Sequence, residues 1–286
     1  MRDLSGRTAM LTGASRGIGP YIAQELADQR MNLLLVALSE PGLDEIASTI
    51  RSRGGRAVAI PIDVGNRQAL EALVARAKSE FPTIDLLVNN ASLEMFFPFH
   101  RLQHEDIERI ICVNLTGAIL LSRMILPDML ARRSGHIVNV SSLTAKGGPP
   151  CSEPYVATKA GLIAFTKSLR AEYRGTGVSA SVIVPGFVKA GMYQRLFEET
   201  GLAAPRLFLT APEAVAQAVV RAVKGDVPEL IINPGPMRLL TALGEFSPSL
   251  AEFVIRVSGV ADWFRQVANA REGRTDHKDV IGHADD

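Results

Sequence analysis

The sequence predicts a doubly wound α/β fold: a Rossmann-like parallel sheet of about seven strands, with a helical appendage at its C-terminal end. Three observations carry that expectation. Short apolar runs alternate with helix-length segments along most of the 286 residues, the runs are apolar at nearly every position, and the first ends in a glycine-rich turn. Alternation of strand and helix implies parallel strands joined by right-handed crossovers. Runs without a polar face imply strands buried on both sides.

The elements follow in order. Apolar runs at 8–12, 32–38, 57–62, 84–89, 136–141, 178–184 and 230–232 predict the strands. Segments at 18–29, 43–53, 67–80, 105–132, 155–173 and 212–223 predict the helices between them. Asn233-Pro234-Gly235-Pro236 stops the last strand, and stretches at 237–244, 250–257 and 260–270 predict short amphipathic helices. The expected organisation is a catalytic unit over 1–235, a helical appendage over 236–273, and a polar, disordered tail over 274–286.

Composition sets outer limits. The chain is 47% hydrophobic and 21% charged, which suits a globular protein with a sizeable core. A net charge of +1 gives no reason to expect nucleic acid. Two cysteines, Cys112 and Cys151, are too few for a disulfide framework, so a cytoplasmic location is expected. No signal peptide is read at the N-terminus, and no uninterrupted apolar run nears the ~20 residues of a membrane span. His100 and His104 have the spacing of a zinc motif, but Arg101 stands where its glutamate belongs, and no metal site is expected. Cys151 is read as a pocket-lining residue; no histidine adjoins it in sequence to make it a nucleophile. Glu94 and Glu153 are read either as an acid–base pair at the pocket mouth or as exposed rim charges.

The first strand runs into Thr12-Gly13-Ala14-Ser15-Arg16-Gly17-Ile18-Gly19. Gly13 permits a sharp turn, while Gly17 and Gly19 let the backbone approach a bulky anion and the next helix pack closely. That helix aims its free N–H groups at a phosphate, so Gly13, Ser15, Arg16, Gly17, Ile18 and Gly19 are candidate cofactor contacts. The second strand ends Val36-Ala37-Leu38-Ser39, without the acid that binds a ribose 2′-hydroxyl in NAD-dependent folds. Arg16, aided by Ser39, would pair with a 2′-phosphate, which favours NADP. NAD stays as the alternative.

Four polar residues make a catalytic constellation: Asn114 in an apolar helix, Ser142 at a strand end, and Tyr155 and Lys159 one helical turn apart on a shared face. Reducing a carbonyl requires a hydride at carbon and a proton at oxygen, placed together. Tyr155 would exchange the proton. The Lys159 ammonium would lower the phenol's pKa and hold the nicotinamide ribose. Ser142 would bond the substrate oxygen, and Asn114 would hold a water that passes the proton onward.

At these residues the chain resembles the short-chain dehydrogenase/reductase family, in its compact single-domain branch. Thr12 to Gly19 resembles the family's Thr-Gly-x3-Gly-x-Gly loop, and Asn89-Asn90-Ala91 its Asn-Asn-Ala-Gly segment after the fourth strand. Asn114, Ser142, Tyr155 and Lys159 match the catalytic tetrad. The resemblance implies that Asp63 and Val64 hold adenine, that Asn90 and Ala91 line the cofactor cleft, and that Pro185, Gly186 and Val188 flank the nicotinamide. It also implies a homodimer or tetramer built on the helices that hold Asn114 and Tyr155. Ser92 departs from the family's glycine, and Ala190 replaces a threonine that commonly bonds the nicotinamide carboxamide.

The segments expected around the substrate carry Leu93, Met95, Phe96, Phe97, Phe99, Met192, Tyr193, Leu196, Phe197, Leu207 and Phe208. Such walls favour a lipophilic substrate, steroid-like, retinoid-like or fatty. A 3-oxoacyl thioester reductase, docking its carrier on Arg123, Arg132 and Arg133, is the alternative within this chemistry. A non-catalytic dinucleotide-binding regulator is the alternative outside it. The appendage would cover the pocket, form a subunit contact or rest on a membrane surface.

Overall fold

The computed structural model describes residues 1–234 and 237–272. Seven parallel strands form the sheet: β1 (Thr8–Thr12), β2 (Asn32–Ala37), β3 (Arg56–Pro61), β4 (Leu86–Asn89), β5 (Gly135–Val140), β6 (Val178–Pro185) and, last in chain order, β9 (Glu229–Ile232). Their spatial order is β3-β2-β1-β4-β5-β6-β9. The order reverses between β1 and β4, and a crevice opens there beyond the carboxyl ends of the strands. A two-stranded ribbon, β7 (Phe187–Val188) with β8 (Leu209–Thr210), sits apart from the main sheet.

The continuous apolar runs do what their pattern implies. In β1, Ala9 and Leu11 enter one core while Met10 enters the other, and none of the three reaches solvent. Helices α1 (Gly19–Asp28), α2 (Glu40–Ser52) and α9 (Pro212–Gly225) build the first core with Ile22, Leu26, Leu43, Ile50, Val215 and Val219. On the opposite face lie α3 (Arg67–Glu80), α5 (Gly117–Ala131) and α7 (Glu153–Glu172), with Leu73, Leu121, Ile125 and Met129 in the second core. Asn66 caps α3, accepting from the amides of Gln68 and Ala69 at 3.0 and 3.2 Å.

The segment predicted as one helix over 105–132 is divided. α4 (His104–Ile111) passes through a π-helical turn, Cys112–Thr116, into α5. The turn brings Gly117 beside the Val64 carbonyl, where a Cβ would collide. The whole stretch His104–Ala131 has a mean hydropathy of 1.8 and the length of a membrane span. Half of that window is buried inside the protein, as a core helix is.

Three helices were not individually anticipated or extend beyond expectation. α6 (Thr144–Gly147) follows β5, α8 (Met192–Thr200) follows the ribbon strand β7, and α7 begins at Glu153 rather than Tyr155 because Pro154 fits its first turn. The appendage forms α10 (Met237–Phe246), α11 (Pro248–Val257) and α12 (Val260–Glu272). α12 enters a third core: Trp263, Phe264 and Val267 pack with Phe96, Leu143, Tyr155, Leu196 and Phe208. The expected domain boundary at 235–236 and the tail at 274–286 fall outside the described residues.

Candidate active site

One cleft at the switch point gathers most of the residues marked in the sequence. Gly13, Ser15, Arg16, Gly17, Ile18, Ser39, Asp63, Val64, Asn90, Ala91, Ser142, Tyr155, Lys159, Pro185, Gly186 and Val188 line it. Gly19 does not. It is buried behind the turn against Gly13 and Ala14, where a side chain would meet the Ala14 Cα at 2.8 Å, so it serves helix packing. Asn114 is likewise buried off the cleft wall.

The glycine turn is held from the neighbouring strand. Asn90 donates through Nδ2 to the carbonyls of Thr12 and Gly13 at 3.1 and 3.0 Å, and Thr12 Oγ1 accepts from the amides of Asn90 and Ala91. Gly13 has φ +66°, and a Cβ there would stand 2.7 Å from the Ala91 Cα. Across the cleft, Gly191 has φ +52°, and a Cβ on it would stand 2.5 Å from the Gly17 Cα. Backbone therefore packs directly on backbone at both glycines, leaving no room for a side chain at either position.

The groove's far end carries no carboxylate on β2: Leu38 is exposed, and Ser39 precedes α2. Arg16 and Ser39 line the same mouth. Asp63 is engaged twice, accepting from Arg109 Nη1 at 2.7 Å and from the Gly65 amide at 2.8 Å. Arg109 lines the cleft too, and sequence reasoning missed it. It lies 46 residues from Asp63, and only the fold of α4 over the β3–α3 loop brings the two together.

Elsewhere on the cleft wall, Tyr155 and Lys159 rise from the first turns of α7 and are nearly fully buried. Tyr155 is hydrogen bonded to Ser142, whose Oγ also accepts from the Thr144 amide and hydroxyl at 3.2 and 2.9 Å. Ser141, the neighbouring hydroxyl, is turned away and donates to the Lys159 carbonyl at 2.7 Å. Lys159 Nζ lies 5.6 Å from the Tyr155 ring centroid and donates to the Val140 carbonyl at 3.0 Å. Burial pushes the Tyr155 phenol up to about 12, against a downward pull from Ser142, and Glu94 adds to the rise. Burial also lowers Lys159 to about 7. The expected lowering of the phenol by its lysine is thus reversed by desolvation of both groups.

Asn114, in the π-helical turn, has both ends of its amide occupied. Oδ1 accepts from the Leu93 amide at 2.7 Å, and Nδ2 donates to the Leu93 carbonyl at 2.8 Å and to Thr158 Oγ1 at 3.3 Å. Its side chain fixes the loop after β4 next to Tyr155.

Several expectations are corrected. Met95 and Phe97 pack with Ile110 away from the cleft, while Phe99 and Phe197 face solvent. Leu93, Phe96, Met192, Tyr193, Leu196 and Phe208 do line it, and the side chain of Leu207 is outside the described residues. Cys151 is not among the lining residues; its carbonyl accepts from the Phe97 amide, and burial and Glu153 push its thiol up. Glu94 and Glu153 do not pair, since Glu94 meets Arg271 and Glu153 accepts from the Cys151 amide. No cluster of metal-ligating side chains occurs among the described residues. The appendage roofs the cleft with Thr241, Gly244, Val254, Ile255, Ser258 and Val260.

Comparisons with known proteins identify the family and the fold. The short chain dehydrogenase family model matches residues 7–201. A protein named ketoacyl reductase HetN, from Nostoc sp., is 40% identical over 278 residues, covering 95% of this chain and 96% of that one. That match leaves too little of the chain uncovered to omit the appendage. A 3-oxoacyl-[acyl-carrier-protein] reductase from Synechocystis sp. is 35% identical over 70% of this chain and 81% of its own. A crystal structure of a metagenomic short-chain oxidoreductase in complex with NADP superposes with a TM-score of 0.70 at 29% identity. It covers 82% of this chain and 99% of its own. A Burkholderia phymatum structure in complex with NAD, 24% identical, shares the fold with a TM-score of 0.77, covering 87% of this chain and 96% of its own.

Proposed function

The chain is an oxidoreductase belonging to the short-chain dehydrogenase/reductase family, and from that membership we propose that it reduces a lipophilic ketone with NADPH, using Tyr155 as the proton donor. One observation carries the reading: the phenol, the Ser142 hydroxyl and the Lys159 ammonium converge at the strand tips, in the same cleft as the glycine turn. A reduced nicotinamide held beside Pro185, Gly186 and Val188 would supply the hydride. Arg16 and Ser39 would take the 2′-phosphate, and Asp63, held by Arg109, would face the adenine with Val64.

The chemistry then belongs to the protein's own groups. Ser142 orients the carbonyl oxygen and stabilises the charge that develops on it. A phenol near 12 keeps its proton at neutral pH, yet is a stronger acid than the aliphatic alcohol that forms, so transfer from Tyr155 to the product alkoxide runs downhill. Lys159 orients the ribose and offers a positive charge beside the phenolate that forms. Asn114 acts by fixing Leu93 and the wall that follows it. Apolar side chains of Phe96, Leu196 and Phe208 exclude water and select for a greasy body.

A second reading, reduction of a 3-oxoacyl thioester, is favoured by the names of the relatives in Nostoc and Synechocystis. It fits the same pocket, an acyl chain being one form of lipophilic ketone. Both cysteines are free thiols, in keeping with a reducing cytoplasm, and a dimer through α4, α5 and α7 completes the proposal. The test is a panel of ketones and 3-oxoacyl thioesters, followed by nicotinamide absorbance with NADPH and with NADH. Turnover of apolar ketones with NADPH is expected. Preference for NADH, or for small charged sugars, contradicts the proposal.

A further inference from the structure

The helix farthest along the chain sits against the catalytic tyrosine. Phe264 of α12, fully buried, meets Phe96 edge-on at 4.9 Å, and Phe96 meets Tyr155 edge-on at 5.9 Å. Two turns further along the same face of α12, Arg271 reaches two carboxylates. Its Nη1 and Nη2 bond Glu94 at 3.4 and 3.5 Å, and its Nε and Nη2 lie 3.0 and 2.9 Å from Glu199. Glu94 belongs to the segment after β4, two residues before Phe96, and Glu199 to α8, which lends Leu196 to the cleft. The side chains of Arg271 and Glu94 are 11% and 4% exposed, whereas Glu199 keeps 39%.

A buried ion pair is a poor source of net stability, because desolvation offsets much of its Coulomb attraction. Its forked geometry is better suited to fixing positions. Here one guanidinium joins two segments that both line the cleft, through Leu93 and Phe96 on one and Met192 and Leu196 on the other, and the cation comes from neither of them.

We infer that Arg271 is a positioning residue for the reduction, clamping the segment after β4 to α8 and so setting the width of the substrate cavity beside Tyr155. This rests on the ketone-reductase reading above. It makes α12 a determinant of substrate size rather than a bystander to the Rossmann unit. The effect is selective: an extended apolar ketone that reaches α8 senses the clamp, and a short ketone that occupies only the space between Ser142 and Tyr155 does not.

The experiment compares the unmodified protein with Arg271→Met, Arg271→Lys and Glu199→Gln, using one long and one short apolar ketone with NADPH. Arg271→Met and Glu199→Gln should raise KM for the long ketone about tenfold and for the short one less than about twofold. Arg271→Lys, which retains the charge, should recover most of the loss. If Arg271→Met does not fold, Glu199→Gln, whose carboxylate is partly solvated, carries the comparison alone. A loss shared equally by both ketones and following the fall in Tm, an unaltered ratio of the two KM values, or no recovery with lysine overturns the inference. Turnover of neither ketone by the unmodified protein removes the functional reading itself, a result distinct from an unaltered ratio in active variants.

Discussion

At the scale of single residues, the site is governed by burial as much as by charge. Tyr155 and Lys159 are both withdrawn from water, which raises the phenol and lowers the ammonium, so each moves toward its neutral form. That arrangement suits proton donation and predicts a clean separation of binding from chemistry. Tyr155→Phe keeps the ring that packs against Phe96 and removes only the hydroxyl. Its kcat should fall by about 10²–10⁴-fold while NADPH still binds, as measured by nicotinamide fluorescence. A variant that retains turnover would deny Tyr155 its role. Arg16 makes a second case. If it meets a 2′-phosphate, Arg16→Ala should weaken NADPH by about ten- to a hundredfold and leave NADH nearly unaffected. Equal weakening of both dinucleotides would show that Arg16 serves the loop and not the phosphate.

At the scale of elements, strand β5 carries a hidden liability. His136 is buried in it, with Nε2 2.8 Å from Ser181 Oγ, and burial lowers its pKa to about 4 although Asp226 pulls upward. The unfolded chain, with an ordinary imidazole, takes up the proton first. Stability is therefore complete above about pH 6.5 and is lost as pH falls toward 4, by about 3 kcal/mol in all. His136→Gln should flatten that acid dependence in urea titrations at pH 7, 5.5 and 4.5; parallel curves would contradict a buried neutral imidazole. The elements themselves were largely legible in the chain. Seven apolar runs became the seven strands because those inside the sheet, buried on both faces, need no alternation to be recognised, and the half-buried edge strands β3 and β9 are still mostly apolar. The π-helical turn was not legible, since nothing in Cys112–Thr116, neither glycine nor proline, interrupts the run of helix-compatible residues from α4 into α5. α8 was hidden too: Met192–Thr200 is short and polar on one face, and the sequence marks it only as part of a segment around the substrate. In the site, the residues whose spacing is local, Tyr155 with Lys159 and the glycine turn, were visible. Arg109 with Asp63, and Arg271 with Glu94, were not, because 46 and 177 residues separate the partners and only packing brings them together.

At the scale of the whole molecule, the appendage divides into a part that is core and a part that is surface. Phe264 is fully buried between Phe96, Phe187 and Trp263, at ring distances of 4.9, 5.8 and 5.1 Å, and Trp263 also donates to the Leu202 carbonyl at 3.2 Å. Phe246, at the end of α10, is 90% exposed. The same side chain in the same appendage thus has opposite consequences when truncated. Phe264→Ala empties a packed aromatic site and should cost about 3–5 kcal/mol, lowering Tm by many degrees. Phe246→Ala exchanges solvent-exposed surface and should stay within about 0.5 kcal/mol. Thermal unfolding of the two variants decides between an integral and an accessory C-terminal region. A small effect at Phe264 would mean that the third core does not depend on α12, and the Rossmann unit would then stand without it. The expected large effect would instead make residues 260–272 part of one cooperative structure with Tyr155, so that loss of α12 unfolds the packing around that phenol.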